Sequence, residues 1–368
     1  MDYSNSQNRQ DSYSRYLQTT SFLSLDGLRA IAILAVFWHH FATVISGWTI
    51  TGRGFLGVDL FFIISGFLIV TLLLRERRGS GSLSVRHFYI RRFFRIFPAY
   101  YLMLFVVGAT AFLKPGFTSV AIKQDIIFAA FYLSNLVPMT SMLAITWSLA
   151  AEEQFYIIVP ALEKYARRSM PFFLPVAYIL VSLPSFGFFP TIELPSFFRE
   201  TTFGPILLGV MLAHVLDHQR YFLWLYQILA WRPVPVFALA LVFLVTSYPA
   251  DDISGWPRLT MHWTMLILVA SCVIQERNFL QPILSLRPIR KIGIVSYGMY
   301  LYQHVVAHFV HKGMENIVTP ENFRMTYFTA TVLATWAVAE CSYRYFETPF
   351  LKAKARFAPG KYRSSTTK

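Results

Sequence analysis

The chain has 368 residues, of which 55% are hydrophobic and only 14% are charged. Because soluble domains carry about 25% charged residues, this composition excludes a water-soluble globular protein and favours a bundle of helices in a lipid bilayer. The net charge of +14 does not indicate nucleic-acid binding, since the basic residues lie in short segments between apolar runs, where the positive-inside rule places them in the cytoplasm. The two cysteines, both in apolar segments, argue against a disulfide framework.

Apolar segments follow one another along nearly the whole chain. The candidates lie near residues 25–46, 57–74, 97–113, 121–137, 145–162, 170–188, 201–216, 222–248, 261–275, 292–310 and 325–345. Counting alternating crossings back from the basic tail places the loop at Lys164 in the cytoplasm. Counting forward from a cytoplasmic N-terminus places the same loop outside. We therefore expect that one candidate between residues 97 and 162 does not cross in full. The prediction is an all-α polytopic membrane protein, a bundle of about ten transmembrane helices, with both termini in the cytoplasm.

The ends of the chain are polar. Residues 1–21 are rich in Ser, Gln, Asn and Tyr and predict a disordered cytoplasmic tail. Residues 22–352 are expected to form the membrane domain, and residues 353–368 a basic cytoplasmic tail. Because residues 1–21 lack the pattern of a signal peptide, we expect the first apolar segment to direct membrane insertion.

The first apolar segment carries Arg29, His39 and His40. Ionisable side chains within a membrane segment are costly and usually line a functional cavity. In a helix, Arg29 and His40 lie within roughly 20° of one face and about 16 Å apart along the axis, whereas His39 points to another face. Because an imidazole titrates near neutral pH, His40 is a candidate catalytic base, with Arg29 as a candidate anion anchor.

The segment after the second apolar run contains more arginine than is needed to set its orientation in the membrane. Guanidinium groups bind phosphate oxygens in bidentate fashion, so we expect a phosphate-rich cytosolic ligand at Arg86, Arg91, Arg92 and Arg95. The alternative is an interfacial helix that only sets orientation. The second segment itself carries an acidic candidate partner for a cation and small residues for close helix packing, namely Asp59, Gly57, Ser65 and Gly66.

Two further segments carry polar residues at helical spacing. Ser148, Glu152 and Tyr156 share one helical face, where Glu152 is expected to orient the site or to form an ion pair. Residues 296–311 carry a polar stripe on an otherwise apolar helix. The stripe predicts a hydrogen-bonding surface for a polar substrate in preference to a metal site, and its members are Tyr297, Tyr300, His304, His308 and His311.

The stretches LDGLRAIAILAVFWHH, GVDLFFIISGFLI, RRFFRIFP, WSLAAEEQFY, SYGMYLYQH and YRYFETPF, in this order, resemble the acyltransferase 3 family of integral-membrane O-acyltransferases. The resemblance covers roughly residues 22–352. It implies that His40 is the essential histidine and Arg29 its partner. It also implies that the Arg-x-x-Arg motif is Arg92 with Arg95, and that Glu152 is the carboxylate of the WSL motif. His39 departs from the family, which more often has an aromatic or aliphatic residue there, so a shared role of His39 stays open.

Such proteins transfer an acyl group, usually acetyl, from cytosolic acyl-CoA to a hydroxyl of a cell-surface or exported carbohydrate. The resemblance therefore implies a bacterial inner-membrane acetyltransferase that uses acetyl-CoA and no metal. The expected catalytic residues are His40, Arg29 and Glu152. The residues expected to bind CoA are Arg86, Arg91, Arg92 and Arg95. The residues expected to contact the acceptor are Trp147, Ser148, Tyr297 and His304.

Two questions stay open at this point. Transfer within one ternary complex and transfer through an acyl-histidine intermediate both fit these residues. Some relatives carry an additional esterase-like domain, so we expect this membrane domain to complete the transfer alone or with a partner.

A different class of protein fits the same side chains. A secondary transporter or flippase for a polar or anionic solute would also line its path with arginine and histidine. The lack of an internal repeat in the sequence weakens this alternative, because many transporters are built from inverted halves.

Overall fold

The computed structural model describes residues 2–19, 21–42, 49–113, 120–139, 142–187, 203–248, 253–314 and 320–357. In these residues all regular secondary structure is helical. The first helices are α1 (Asp2–Gln18), α2 (Leu23–Phe41), α3 (Leu56–Ser80), α4 (Val85–Leu113), α5 (Val120–Ala130), α6 (Thr146–Tyr165) and α7 (Met170–Ser182). They are followed by α8 (Phe203–Asp217), α9 (Gln219–Leu229), α10 (Val234–Thr246), α11 (Trp256–Ile274), α12 (Gln281–Leu284), α13 (Arg287–Ile294), α14 (Ser296–Met314), α15 (Pro320–Cys341) and α16 (Thr348–Phe357).

Among the described residues, four segments are long and apolar enough to cross a membrane, or up to six if each of two bent helix pairs is one span. The four are Leu56–Ser80, Val85–Phe112, Arg167–Phe186 and Trp256–Ile274. The all-α polytopic character is therefore confirmed, but the count of about ten crossings is not. One bent pair is α9 with α10, which meet at 78° where the sequence predicts the single segment 222–248. Prolines 233 and 235 at the start of α10 favour this break, since proline cannot continue the preceding helix.

The centre of the bundle is the crossing of α3 with α8, which two glycines allow. A Cβ atom on Gly66 would lie 2.3 Å from the carbonyl oxygen of Ile206. A Cβ atom on Gly209 would lie 2.2 Å from the carbonyl oxygen of Ile63. Both distances are shorter than any side chain tolerates, so the two backbones approach as closely as in other small-residue membrane crossings. The packing role predicted for Gly66 is confirmed.

A buried ion cluster joins α3 to α11. The carboxylate of Asp59 lies 2.8 Å from the guanidinium of Arg258 and 3.2 Å from the imidazole of His262. Asp59 and His262 are buried, and Arg258 also lies over the ring of Phe55. A buried carboxylate requires such partners, because an unpaired charge in a low-dielectric interior is strongly destabilising. The cation partner predicted for Asp59 is therefore Arg258.

The chain between α5 and α6 includes a non-helical stretch in which Tyr132, Ser134 and Asn135 are buried. With 11 residues, α5 is about 16 Å long, roughly half the hydrocarbon thickness. It ends against α4, where the Tyr100 hydroxyl donates to the carbonyl of Ala129, and Tyr132 stacks on Tyr100 at 4.4 Å. Asn135 and Gln154 then exchange two side-chain hydrogen bonds of 2.9 Å. One incomplete crossing between residues 97 and 162 stays a prediction, and the short helix α5 is the candidate for it.

The polar N-terminal stretch forms the helix α1 from Asp2 to Gln18, where the composition predicts disorder, and its cytoplasmic location stays a prediction. In α1, Tyr16 stacks on Phe222 at 5.2 Å, and the Tyr13 hydroxyl donates to the carbonyl of Asp217 at 2.6 Å. Arg75 donates to the carbonyl of Tyr16 at 2.7 Å. The composition of the tail is polar, but its tyrosines supply apolar faces that dock the helix on α9.

Contacts bring the basic segments together at one end of the molecule. Arg78 and Arg167 both bind the carboxylate of Asp217, at 2.7 and 3.4 Å. On the other side of α4, Phe94 stacks on Phe357 of α16 at 5.7 Å. The basic segments at residues 75–95 and 164–168 and helix α16 thus share one end, which we call the basic end.

Candidate functional site

His39 and His40 lie in the last turn of α2, and both are exposed. The segment predicted over 25–46 places them near its middle, but the helix ends at Phe41. Nδ1 of His39 lies 2.9 Å from the carbonyl oxygen of Gly52, so this ring is tied to the turn before α3. Nδ1 of His40 lies 3.1 Å from Oε1 of Gln303 on α14. The two imidazoles therefore have separate partners.

His304 lies beside His40, with the two ring centroids 4.9 Å apart. We call His40, Gln303 and His304 the histidine cluster. His40 and His304 are predicted from the sequence as site residues, whereas Gln303 is not. Gln303 directly precedes His304 of the polar stripe, and this position is the one sequence signal for Gln303. Its contact with His40 could not be predicted, because the two residues are 263 positions apart in the chain.

The predicted arginines form a second cluster around the first half of α2. Arg29 interacts electrostatically with Arg95 and with Glu152, and its guanidinium lies 3.8 Å from the carboxylate of Asp26. The guanidinium of Arg92 lies over the ring of Tyr156 at 5.2 Å. We call Arg29, Arg92 and Arg95 the arginine cluster. Three helices, α2, α4 and α6, thus converge on one cationic site.

Glu152 is fixed within this second cluster. Its Oε1 accepts hydrogen bonds from the hydroxyls of Ser65 and Tyr156. The shared face predicted for Glu152 and Tyr156 is confirmed, but the role of Ser65 is more than close packing. Because Tyr156 in turn supports Arg92, Glu152 orders the guanidinium indirectly.

The structure separates the predicted catalytic residues into two groups. Arg29 and Glu152 belong to the arginine cluster, whereas His40 belongs to the histidine cluster. Along the unbroken helix α2, Arg29 and His40 are about 16 Å apart. The unbroken helix keeps the two residues on the face that helical geometry predicts for them.

The remaining basic residues differ in their surroundings. The guanidinium of Arg91 forms an ion pair with Glu76, and Arg86 is exposed. The arginine-rich stretch lies in helix α4, which continues through Pro98. Proline can break a helix, but neighbouring segments can satisfy the backbone groups that it frees.

Lys354 of α16 is a further cation that the sequence analysis misses. Burial, and then the positive charges of Arg95, Arg92 and Arg91, lower the pKa of its ammonium group to about 8. A lysine with so many cationic neighbours identifies a place where positive charge accumulates. Helix α16 therefore adds a cation beside the arginine cluster.

The residues predicted to contact the acceptor lie along α6 and α14. The hydroxyl oxygens of Ser148 and Tyr300 are 2.7 Å apart, and the Tyr297 hydroxyl donates to the carbonyl of Ile96 at 3.2 Å. The indole of Trp147 packs edge-on against Phe62 at 6.2 Å. One face of α14 therefore leads from the arginine-rich helix α4 through Tyr297 and Tyr300 to the histidine cluster.

The two later histidines of the polar stripe lie against aromatic rings, His308 on Phe309 and His311 on Tyr327. Within the described ranges, no group of three or more His, Cys, Asp or Glu side chains is arranged to hold a metal ion.

Comparison with known proteins gives one family. Residues 22–340 match the family model Acyl_transf_3, described as an acyltransferase domain. The chain is 30% identical over 361 residues to the peptidoglycan O-acetyltransferase OatA of Listeria monocytogenes, covering 89% of this chain and 56% of that relative. It is 30% identical over 356 residues to the O-acetyltransferase OatA of Staphylococcus aureus, covering 89% and 57%. The chain thus spans less than two thirds of the length of these relatives, and no solved structure matches it.

Proposed function

Because the chain belongs to the acyltransferase 3 family, we propose that it is an integral-membrane O-acetyltransferase. The acetyl group passes from cytosolic acetyl-CoA to a hydroxyl of a cell-surface or exported carbohydrate, across a bacterial inner membrane with both protein termini in the cytoplasm. One observation carries the proposal. A single helix, α2, contributes Arg29 to a cationic cluster at the basic end and His40 to a polar cluster about 16 Å away.

The basic end provides the donor site in this proposal. CoA carries several phosphate groups, and guanidinium groups bind phosphate oxygens through paired, charge-assisted hydrogen bonds. We assign the phosphates to the arginine cluster together with Lys354, which lies within electrostatic range of Arg92 and Arg95. Arg91 contributes less, because Glu76 already neutralises it, and Arg86 is at the exposed margin.

His40 provides the base. Its Nε2 takes the proton of the acceptor hydroxyl as the hydroxyl oxygen attacks the thioester carbonyl. The new carbon–oxygen bond forms, the carbon–sulfur bond breaks, and the imidazolium returns the proton to the CoA thiolate, so that free CoA leaves. Arg29 lies beside Arg95 and Glu152, about 16 Å along α2 from His40, so we propose that it holds part of the donor. Glu152 positions Tyr156 and Arg92 within the donor site.

The test compares His40→Ala with its neighbour variant His39→Ala. General-base catalysis contributes about 10²–10⁴-fold, so we expect kcat to fall by that factor in His40→Ala while the protein still inserts into the membrane. His39→Ala keeps most of the activity, because His39 is bonded to the turn at Gly52. The measurement is the release of free CoA thiol by purified protein in detergent, with acetyl-CoA and carbohydrate acceptors.

Two results would contradict the proposal. A wild-type rate in His40→Ala would show that His40 is not the base. Flux of a polar solute into liposomes without CoA, together with no thiol release, would instead identify a transporter.

A further inference from the structure

We propose that Gln303 is a positioning residue that holds His40 as the Nδ1–H tautomer and leaves Nε2 free to act as the base. The catalytic consequence rests on the proposed function, whereas the tautomer itself does not. Gln303 is fully buried on α14, and it makes one hydrogen bond to His40 and one to the backbone.

The backbone contact fixes the orientation of the side-chain amide. Nε2 of Gln303 lies 3.1 Å from the carbonyl oxygen of Tyr300. A carbonyl oxygen only accepts hydrogen bonds, so the amide nitrogen must face it and the amide oxygen must face the other way. The buried amide therefore presents an acceptor, Oε1, to His40.

The amide oxygen then fixes the proton on the imidazole. Oε1 of Gln303 lies 3.1 Å from Nδ1 of His40, and an amide oxygen only accepts, so Nδ1 must carry the hydrogen. A neutral imidazole has a single N–H, which leaves Nε2 with a free lone pair. The same logic applies when a carbonyl or carboxylate orients a functional histidine elsewhere in proteins.

An amide suits this position better than a carboxylate. His40 already has the imidazoles of His39 and His304 beside it, at ring distances of 5.3 and 4.9 Å. A carboxylate would place a charge at the fully buried position of Gln303, and a buried charge needs a partner of its own. Glutamine orders the ring without that cost.

Kinetics of two variants test the catalytic consequence. Gln303→Met keeps the length of the side chain and removes the amide oxygen, whereas Gln303→Glu keeps an acceptor oxygen. We expect Gln303→Met to lower kcat by about 10- to 100-fold, the range known for partners that orient a functional histidine, with no change in KM for acetyl-CoA. Gln303→Glu restores most of kcat. The matched control on α14 is Tyr302→Phe, which removes only a hydroxyl contact to Ser342.

Nuclear magnetic resonance tests the tautomer without relying on activity. In ¹⁵N-histidine-labelled protein, the nitrogen shifts distinguish N–H from unprotonated ring nitrogen, and the His40→Ala spectrum identifies the His40 signals. We expect Nδ1–H in wild type and loss of that preference in Gln303→Met. An Nε2–H signal in wild type, or an unchanged kcat in Gln303→Met, would overturn the inference. If the tautomer is as expected but wild type releases no CoA with any acceptor, the positioning role holds and the proposed function fails.

Discussion

At the basic end of the molecule, Lys354 is half-buried and lies within electrostatic range of Arg91, Arg92 and Arg95. Loss of water around the ammonium group, followed by repulsion from the three guanidinium groups, lowers its pKa from 10.5 to about 8. Arg91 is paired with Glu76, which relieves only part of this charge. A bound phosphate would compensate the rest, so the local electrostatics favour an anionic ligand.

This lysine should give the proposed donor site a specific pH dependence. The protonated ammonium binds phosphate, so we expect KM for acetyl-CoA to rise as pH increases through about 8, where Lys354 loses its charge. Lys354→Gln should raise KM at neutral pH by about three- to tenfold, or about 0.7–1.4 kcal/mol, and should remove this pH dependence. Steady-state kinetics across that pH range measure both effects.

The control for this experiment is Lys352→Gln, which changes an exposed lysine on the same helix. It should leave KM and its pH dependence as in wild type. If KM of Lys354→Gln still rises through pH 8 as in wild type, Lys354 does not bind the donor.

At the same scale, the residues that could be predicted from the sequence are those that share one helix. Arg29 and His40 lie on α2, so helical geometry alone gives their common face. Gln303 and Lys354 reach their clusters only through tertiary contacts. The 263 residues between Gln303 and His40 show why periodicity could not reveal that pair.

At the scale of the helices, the crossing of α3 with α8 also affects the site, because Ser65 precedes Gly66 directly. Ser65 donates to Glu152, which fixes Tyr156 and so the position of Arg92. A shift of α3 at Gly66 would therefore move a hydrogen-bond donor of the arginine cluster. Helix packing and the position of Arg92 are coupled at this point.

Gly66→Ala tests the crossing. The new Cβ would meet the carbonyl oxygen of Ile206 at 2.3 Å, so the backbones must separate. Overpacking of this kind costs about 1–3 kcal/mol, and we expect a lower midpoint of thermal unfolding in detergent. The control is Gly108→Ala, whose Cβ would lie 3.7 Å from the Ile126 side chain, an ordinary contact. Equal midpoints for the two variants would show that the crossing tolerates a methyl group.

Helix existence is more predictable than helix continuity in this chain. Each predicted apolar segment contains a helix, because runs of apolar residues are a strong signal. The segment 222–248 is nevertheless two helices, and the arginine-rich stretch continues through Pro98. A proline allows either a break or a continuous helix, and in both cases tertiary packing decides between the two.

For the whole molecule, the contacts at the basic end settle which loops share a side. Counting segments gives two answers for the loop at Lys164, but Arg77 donates to the carbonyl of Glu163 at 2.9 Å, so this loop lies at the same end as the basic segment after α3. Orientation depends on how many segments cross in full, and the short helix α5 makes that number hard to count from sequence.

Cysteine labelling tests this arrangement. Single cysteines replace Ser80, Ser169 or Lys352, which are exposed, in a Cys341→Ser background where the remaining Cys272 is buried. We expect a membrane-impermeant thiol reagent to label all three in inverted vesicles and none in right-side-out vesicles. Labelling of Ser169→Cys from the opposite side to Ser80→Cys would contradict the shared basic end.

The continuity of α2 has a consequence for the choice of donor. A straight helix does not change its length, so the spacing between Arg29 and His40 acts as a ruler for the molecule that spans it. A thioester carried on a truncated arm would stop short of the imidazole, however reactive it was. Beside the imidazole of His40, the rings of Phe41 and Tyr327 pack edge-on with their centroids 6.0 Å apart, which leaves no room for an acyl tail between them. Under the proposed function, the protein would thus gauge its donor by the reach of the carrier.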